Sequence, residues 1–341
     1  MEDSYVGEVE NASDGMRVFV SWEPSNSRSA TLAEQFDAEC WFIHYLSLKN
    51  PWLAPIKYVL QTIRTWYDLF RQRPSLVFVQ NPPVFAPLAV WVYCALTNSR
   101  FIIDSHTGVF LERKWRWLSF VHAFVVRRAA VSIVTNEHLA AMVEAWGGNT
   151  FIFPDVPVEF PNAEYLDERS AHLVTVVNSF SYDEPLAEVL EAARALPQVE
   201  FAVTGDVERC PPELAEAAPE NVRFTGFVPR KVYVDTLYSS DAAVVLTLED
   251  HTMQRGAYEA MSLGVPIVTS NWPLLRNTFF KGAQFTDNTA SSITSAIETI
   301  IGNKRLMKDE VADLKRQRRA LWRELLAEFE ERYLRDGPSP S

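Results

Sequence analysis

The chain has 341 residues, too many for one ordinary hydrophobic core and comfortable for two. Hydrophobic residues make up 48% and charged residues 22%, a globular balance that excludes disorder of the whole chain. A formal net charge of -12 argues against nucleic acid as the main partner, because such partners need a basic face.

Residues 1–15 are acidic and polar, without the basic start or apolar run of a signal or transit peptide, and read as a flexible tail. Beyond them, short apolar runs alternate with helical patterns, the signature of parallel sheets with crossover helices. Strands are expected at Arg17–Trp22, Cys40–Tyr45, Leu76–Gln80, Phe101–Asp104, Val131–Thr135 and Thr150–Phe153. Helices are expected over Ala30–Phe36, Pro51–Gln72, Val84–Leu96, Lys114–Arg128 and Glu137–Trp146. Phe153–Asp167 carries three prolines and no helical period, and reads as a linker. The pattern then restarts, with strands at Leu173–Asn178, Glu200–Thr204, Val222–Thr225, Ala242–Leu246, Ile267–Thr269 and Ala283–Phe285. Between them lie helices over Pro185–Ala195, Pro211–Ala217, Val232–Ser239, Gln254–Leu263 and Ser291–Ile301. Lys304–Leu334 is a long charged helix, and Asp336–Ser341 a second tail. The expected division is a tail at 1–15, one βα domain at 16–160, a second at 161–303, and a closing helix at 304–335 that packs back toward the first domain.

Charge is unevenly spread. From Lys49 to Arg128 eleven cations face three acids, so this stretch carries +8 and the remainder -20. The three cysteines, Cys40, Cys94 and Cys210, are scattered and include no CxxC, which fits reduced thiols in a reducing compartment and no zinc knot. No apolar run reaches 18 residues. These features place the chain in the cytoplasm, with peripheral contact on the inner face of a membrane.

The most informative window is Asp241–Trp272, DAAVVLTLEDHTMQRGAYEAMSLGVPIVTSNW. An apolar strand ends near Leu248, a polar loop follows, and a helix runs from about Met253 to Leu263 with Gly264 at its stop. In open α/β sheets ligands sit beyond the carboxyl ends of strands, and a helix N-terminus there offers free N–H groups to phosphate. Thr252–Gly256, including Arg255, would form that cradle, and Glu259 would accept hydrogen bonds from a ribose diol.

This window resembles the donor-binding signature of the GT-B glycosyltransferases of group 1 (family 4-like). YEAMSLGVPIVTSN matches its second half, which puts the ribose-binding Glu at Glu259 and places His251 where the family has its first Glu. That departure leaves inverting and retaining chemistry both open. Three further segments resemble the same family. VEFAVTGD puts Gly205 at the pocket, VRFTGFVPRKVYVDTLYSSDAAVVL puts Phe227 at the nucleotide base, and VVNSFSYDEPLAEVLEA puts Ser179 nearest the cleft. The cation that usually follows that last strand is absent, and Tyr182 and Asp183 stand in its area. The resemblance implies two Rossmann-like doubly wound domains facing a central cleft, a nucleoside-diphosphate sugar as donor, and neither cofactor nor metal.

In the first half, SLVFVQNPPVFAPLAV and SRFIIDSHTGVF place Gln80, Asn81, Pro82 and Pro83 at one strand end, with Asp104, Ser105 and His106 at the next. A carboxylate and an imidazole there suit general-base work, with His106 as base and Asp104 orienting or replacing it. This order resembles the eukaryotic β-1,4-mannosyltransferase that elongates dolichol-linked chitobiose, over about 40 residues, and implies a polyprenyl-linked saccharide as acceptor. Asn81, and Arg28 in the glycine-free loop SWEPSNSRSATLA, are the candidates for acceptor or phosphate contact. His122, on an aromatic helix, reads as a packing residue.

PWLAPIKYVLQTIRTWYDLFRQR and LERKWRWLSFVHAFVVRRAA interleave cations with Trp52, Tyr58, Trp66, Trp115, Trp117, Phe120 and Phe124, as interfacial helices do. Together these readings describe a glycosyltransferase moving a sugar to a lipid-linked saccharide, in polysaccharide or glycoconjugate assembly. Two alternatives remain: a nucleotide-sugar epimerase on the same frame, and a non-catalytic subunit scaffolding a partner transferase.

Overall fold

A computed structural model of the chain describes residues 15–45, 54–111, 115, 117–155, 158–166 and 171–335. The expected tails at 1–14 and 336–341 lie outside the described residues, as do Lys49, Trp52, Arg113, Lys114 and Arg116 of the basic stretch. The chain divides into two compact units, up to Ile152 and from Phe153 onward.

The first unit is a six-stranded parallel sheet in the order β2-β1-β3-β4-β5-β6. Its strands are β1 (Arg17–Ser21), β2 (Glu39–Phe42), β3 (Leu76–Asn81), β4 (Arg100–Ser105), β5 (Val131–Val134) and β6 (Thr150–Ile152). The connecting helices are α1 (Ser27–Gln35), α2 (Ala54–Gln72), α3 (Phe85–Thr97), α4 (Thr107–Leu111), α5 (Ser119–Val126) and α6 (Glu137–Ala145). β3 and β5 are buried along their whole length, which is why they read as unbroken apolar runs rather than as alternation. Asn26 and Asn136 cap α1 and α6 by accepting from the backbone N–H of Ser29 and Leu139, at 2.9 and 3.0 Å.

The second unit repeats the plan in the order β12-β11-β10-β7-β8-β9, again all parallel. Its strands are β7 (His172–Val176), β8 (Val199–Thr204), β9 (Val222–Gly226), β10 (Ala242–Val245), β11 (Ile267–Ser270) and β12 (Ala283–Thr286). Its helices are α7 (Leu186–Ala195), α8 (Pro212–Glu216), α9 (Arg230–Tyr238), α10 (Arg255–Leu263), α11 (Pro273–Thr278), α12 (Ala290–Gly302) and α13 (Lys304–Phe329), the last closing in a π turn to Leu334. Gly264 ends α10 with φ +75°, the left-handed conformation that a glycine adopts without a Cβ penalty.

All twelve expected strands are present, each within a few residues of its expected bounds. Two helices were not expected: α4 and α11, of five and six residues, are too short to show a period. The units divide at 152/153 rather than at 160/161, and Phe153 falls in the second unit. Its ring stacks on Trp322 of α13, centroids 3.9 Å apart and planes within 9°, with Phe329 at 5.7 Å on the same helix. Replacing Phe153, which is fully buried, by Ala removes that stack. Denaturant unfolding is expected to show the second unit weakened by about 3–5 kcal/mol; an unchanged midpoint would mean that the ring contributes nothing there.

Candidate functional site

In the second sheet the strand order reverses between β10 and β7. Ligands of open α/β sheets bind at such a switch point, beyond the carboxyl ends of the strands. The segments that leave these two strands are tied together. The Leu248 N–H donates to the Asp183 carbonyl at 2.7 Å, and the Thr247 hydroxyl donates to the Asp183 carboxylate at 2.8 Å.

α10 begins beside this seam. Its N-cap residue, Gln254, makes no side-chain capping bond. A Cβ on Gly256 would stand 2.6 Å from Val177 Cγ1, so only glycine lets the helix start this close to the end of β7. Arg255 occupies the first helical position. Its Nε and both terminal nitrogens are buried and have no hydrogen-bond acceptor among the described residues. The Glu259 carboxylate one turn on is at 3.8 Å, inside ion-pair reach but beyond a hydrogen bond. Glu259 is buried, accepts from the Tyr233 hydroxyl at 2.6 Å, and has an Arg230 terminal nitrogen at 3.9 Å. Burial, and then the Glu259 carboxylate, push the Tyr233 phenol well above its ordinary range, so it stays a donor.

The other expected donor residues lie on loops at the same edge of the sheet. Gly205 follows β8 with φ +115°, and a Cβ there would lie 2.4 Å from the Asn178 carbonyl oxygen. Phe227 follows β9 and is 92% exposed. The Ser179 N–H and hydroxyl and the Ser181 N–H all donate to Glu184, at 2.8, 3.1 and 3.0 Å. His251 sits at φ +60° with its ring Nε2 3.5 Å from Asp250, and half-buried Thr252 follows it. Arg255, Gly256 and Glu259 thus come together on one helix, while Gly205, Ser179, Phe227 and His251 stand on separate loops. Sequence reasoning missed Tyr233 and Arg230 on α9, because their link to Glu259 is a tertiary contact with no pattern along the chain. It also missed Glu184.

In the first unit, Asp104 near the end of β4 is 1% exposed. Arg28, in the first turn of α1, donates to it through Nε at 3.1 Å and Nη2 at 3.1 Å. His106 Nε2 lies 2.9 Å from the second carboxylate oxygen. Burial alone would raise the Asp104 pKa, but Arg28, and then His106, outweigh it and hold the value at about 2. An ionised carboxylate only accepts, so Nε2 of His106 carries a proton and donates. In a neutral ring, Nδ1 then holds the free lone pair. The His106 side chain remains 23% exposed, and its backbone N–H donates to the Asn81 carbonyl at 2.7 Å, which ties the end of β4 to the end of β3.

Two expectations change on this geometry. Arg28, expected to meet a phosphate, is almost wholly buried and held by Asp104. Asn81, expected to meet the acceptor, is fully buried and donates from Nδ2 to His122 Nε2 at 2.9 Å. Burial pushes His122 down to about 3, so it is neutral and can accept, with its ring against Phe110 and Trp146 at 5.1 and 4.7 Å. Asn81 therefore positions the strand end rather than contacting a ligand. Among the described residues no cluster of three or more His, Cys, Asp or Glu could hold a metal ion.

Because its folded pKa lies below the ordinary 3.8, Asp104 adds stability above about pH 4 that is lost as pH falls toward 2. Urea unfolding of Asp104→Asn should lack this acid-dependent loss. Arg28→Ala leaves a buried carboxylate without its guanidinium and should cost about 3–5 kcal/mol at neutral pH, partly restored when Asp104→Asn is added. An Arg28→Ala protein as stable as the parent would contradict the pair.

Residues 172–303, nearly all of the second sheet and its helices, match the family model described as Glycosyl transferases group 1. No curated protein sequence matches the chain. Among solved structures, sucrose-phosphate synthase from Thermosynechococcus elongatus superposes with a TM-score of 0.75 at 14% identity, covering 93% of this chain and 98% of that one. Anabaena HepE in complex with UDP and glucose gives 0.72 at 14% identity, over 93% and 99%. The lipopolysaccharide outer core galactosyltransferase WaaB, in its apo form, gives 0.63 at 12% identity, over 93% and 98%. The two sheets with their surrounding helices have the GT-B fold.

Proposed function

We propose that this chain, a GT-B glycosyltransferase whose second unit is a group 1 domain, takes a sugar from a nucleoside-diphosphate donor and passes it to a hydroxyl of a lipid-linked saccharide. One observation carries the donor half: the buried Arg255 guanidinium without an acceptor, at an uncapped helix N-terminus on the switch point of the sheet. A buried cation left so is expensive, and a diphosphate would supply the missing acceptors and charge. Glu259, held by Tyr233 and flanked by Arg230, would take the ribose hydroxyls, and exposed Phe227 the base.

On the acceptor side His106 is the base. Its Nδ1 takes the proton of the acceptor hydroxyl while ionised Asp104 steadies the imidazolium that forms. The acceptor oxygen bonds to the anomeric carbon, the bond from that carbon to the diphosphate oxygen breaks, and the negative charge of the leaving nucleoside diphosphate falls to Arg255 and the α10 amides. No metal enters this scheme. The lipid-linked acceptor rests on the likeness of the QNPP and Asp-Ser-His segments to the chitobiose-elongating family.

A non-catalytic scaffolding subunit is the second reading, and a specific observation favours it. Where the family carries a cation after the first strand of this domain, Glu184 occupies the Ser179 and Ser181 amides, as an anion would.

Thermal shift with a panel of nucleoside diphosphates and their sugars separates the two. UDP heads the panel, because HepE on the same fold holds it. A ligand at about 100 times its Kd adds about 2.7 kcal/mol of stability. The donor reading expects one nucleotide to raise the midpoint of the parent, and Arg255→Ala and Glu259→Ala to lose that response. His106→Ala should keep it while slowing transfer about 100- to 10,000-fold. A parent protein that no nucleotide shifts would leave the scaffolding reading standing.

A further inference from the structure

α2 is amphipathic in the reverse sense. The residues that it buries are Gln61, Thr65 and Leu69, two of them polar. Ile56, Val59, Leu60, Ile63, Tyr67 and Phe70 are instead 40–57% exposed. Their spacing of three and four residues aligns them in one ridge, about 21 Å long at the helical rise.

Hydrogen bonds fix the rotation of the helix. The Gln61 amide donates to the carbonyls of Trp22 and Ile43, at 3.1 and 2.7 Å, and the Thr65 hydroxyl accepts from the Trp22 indole at 2.9 Å. Rolling α2 to hide the ridge would break all three bonds and leave buried polar groups unpaired. Two of the aromatics expected at an interface, Tyr58 and Trp66, are turned inward. Tyr58 stacks on Trp22 at 6.2 Å, and the Trp66 indole donates to the Ala89 carbonyl at 2.9 Å. The outer face is therefore mainly aliphatic, and it is solvated.

The charge around the ridge selects its partner. Arg64, Arg71 and Arg73 are exposed beside it. The one acid of the helix, Asp68, is paired with Arg64 at 2.5 Å. The patch is thus cationic in a chain of net charge -12. Two copies of it would bring cations toward cations with no free acid on the helix to meet them. Trp117 and Phe120, 74% and 69% exposed, lead into and begin α5, which packs on α3 as α2 does. Aliphatic residues at helical spacing, flanking arginines and exposed aromatics suit the headgroup layer of an anionic membrane. Among the described residues no helix is long and apolar enough to cross a membrane, so contact would be along the surface.

We propose that the α2 ridge docks this chain onto an anionic phospholipid bilayer, with the six apolar side chains turned toward the acyl region and the arginines among the headgroups. The test is co-sedimentation of the full chain with vesicles of phosphatidylcholine alone and of phosphatidylcholine mixed with phosphatidylglycerol. The parent is expected to sediment with the mixed vesicles, less so as salt rises. Val59→Asp with Ile63→Asp should abolish binding, and Arg71→Gln with Arg73→Gln should weaken it about 30-fold, the effect of two cations near an anionic leaflet. Both variants should keep the parental melting temperature, since these positions are exposed, and the parental response to nucleotide, whatever that response is. The nucleotide readout keeps this proposal separate from the donor reading. A parent that sediments with neither vesicle, or binding undiminished in Val59→Asp with Ile63→Asp, overturns it. So does a parent that self-associates in ultracentrifugation while that double variant is monomeric, which would give the ridge to a second copy of the chain.

Discussion

A parallel strand cannot turn straight back beside its neighbour; a crossover must carry the chain to the other end of the sheet first. In both units every strand pairing is parallel. All carboxyl ends in a sheet therefore open on one edge, where loops lead to helix N-termini. The interior of each sheet is covered by helices and is mainly apolar, so charged groups collect at that edge. Asp104 and His106 at β4, Asn81 at β3, and the β7 and β10 loops around Arg255 are all placed there by the direction of their strands.

The two units treat a buried cation in opposite ways. In the first, Arg28 and Asp104 satisfy each other, and the pairing holds the carboxylate ionised at about 2 despite its burial. That closed pair leaves the His106 imidazole bonded to Asp104 through Nε2 and still partly exposed. In the second, Arg255 has a carboxylate only at 3.8 Å and no hydrogen bond to any of its buried nitrogens. A closed pair organises its surroundings; an open cation waits for an anion. The same residue type is thus a closed strut in one sheet and an open cation in the other, and the difference lies in whether a carboxylate stands within hydrogen-bond reach.

That difference also marks what could be read from the sequence. The central strands were legible because burial on both faces writes them as apolar runs, as in Val18–Val20 and Ala242–Val245. Gly264, Glu259 and Arg255 were legible because loop, helix start and helix stop follow one another within one window. Arg28 and Asp104 are 76 residues apart, and nothing local to either announces the other. The Tyr233–Glu259 bond spans 26 residues and two helices, and was equally hidden. The linker read as a boundary through its prolines, yet Phe153 falls in the second unit and stacks on a partner on α13, more than 160 residues later, that the linker composition does not reveal.

The α2 helix shows the same limit from the other direction. A helical period records that two faces differ, not which of them meets the core. Where the buried face carries Gln61 and Thr65 and the outer face carries Ile56, Val59 and Ile63, the usual assumption that apolar means inside gives the wrong rotation. The polar pair can be buried only because Trp22 and Ile43 offer partners on the neighbouring segments. Once those bonds set the rotation, the described residues of the first unit leave the apolar ridge uncovered. An exposed apolar face held in place by buried hydrogen bonds is a cost to the isolated chain. A membrane surface would remove that cost without requiring any change in the fold that positions Asp104 and His106.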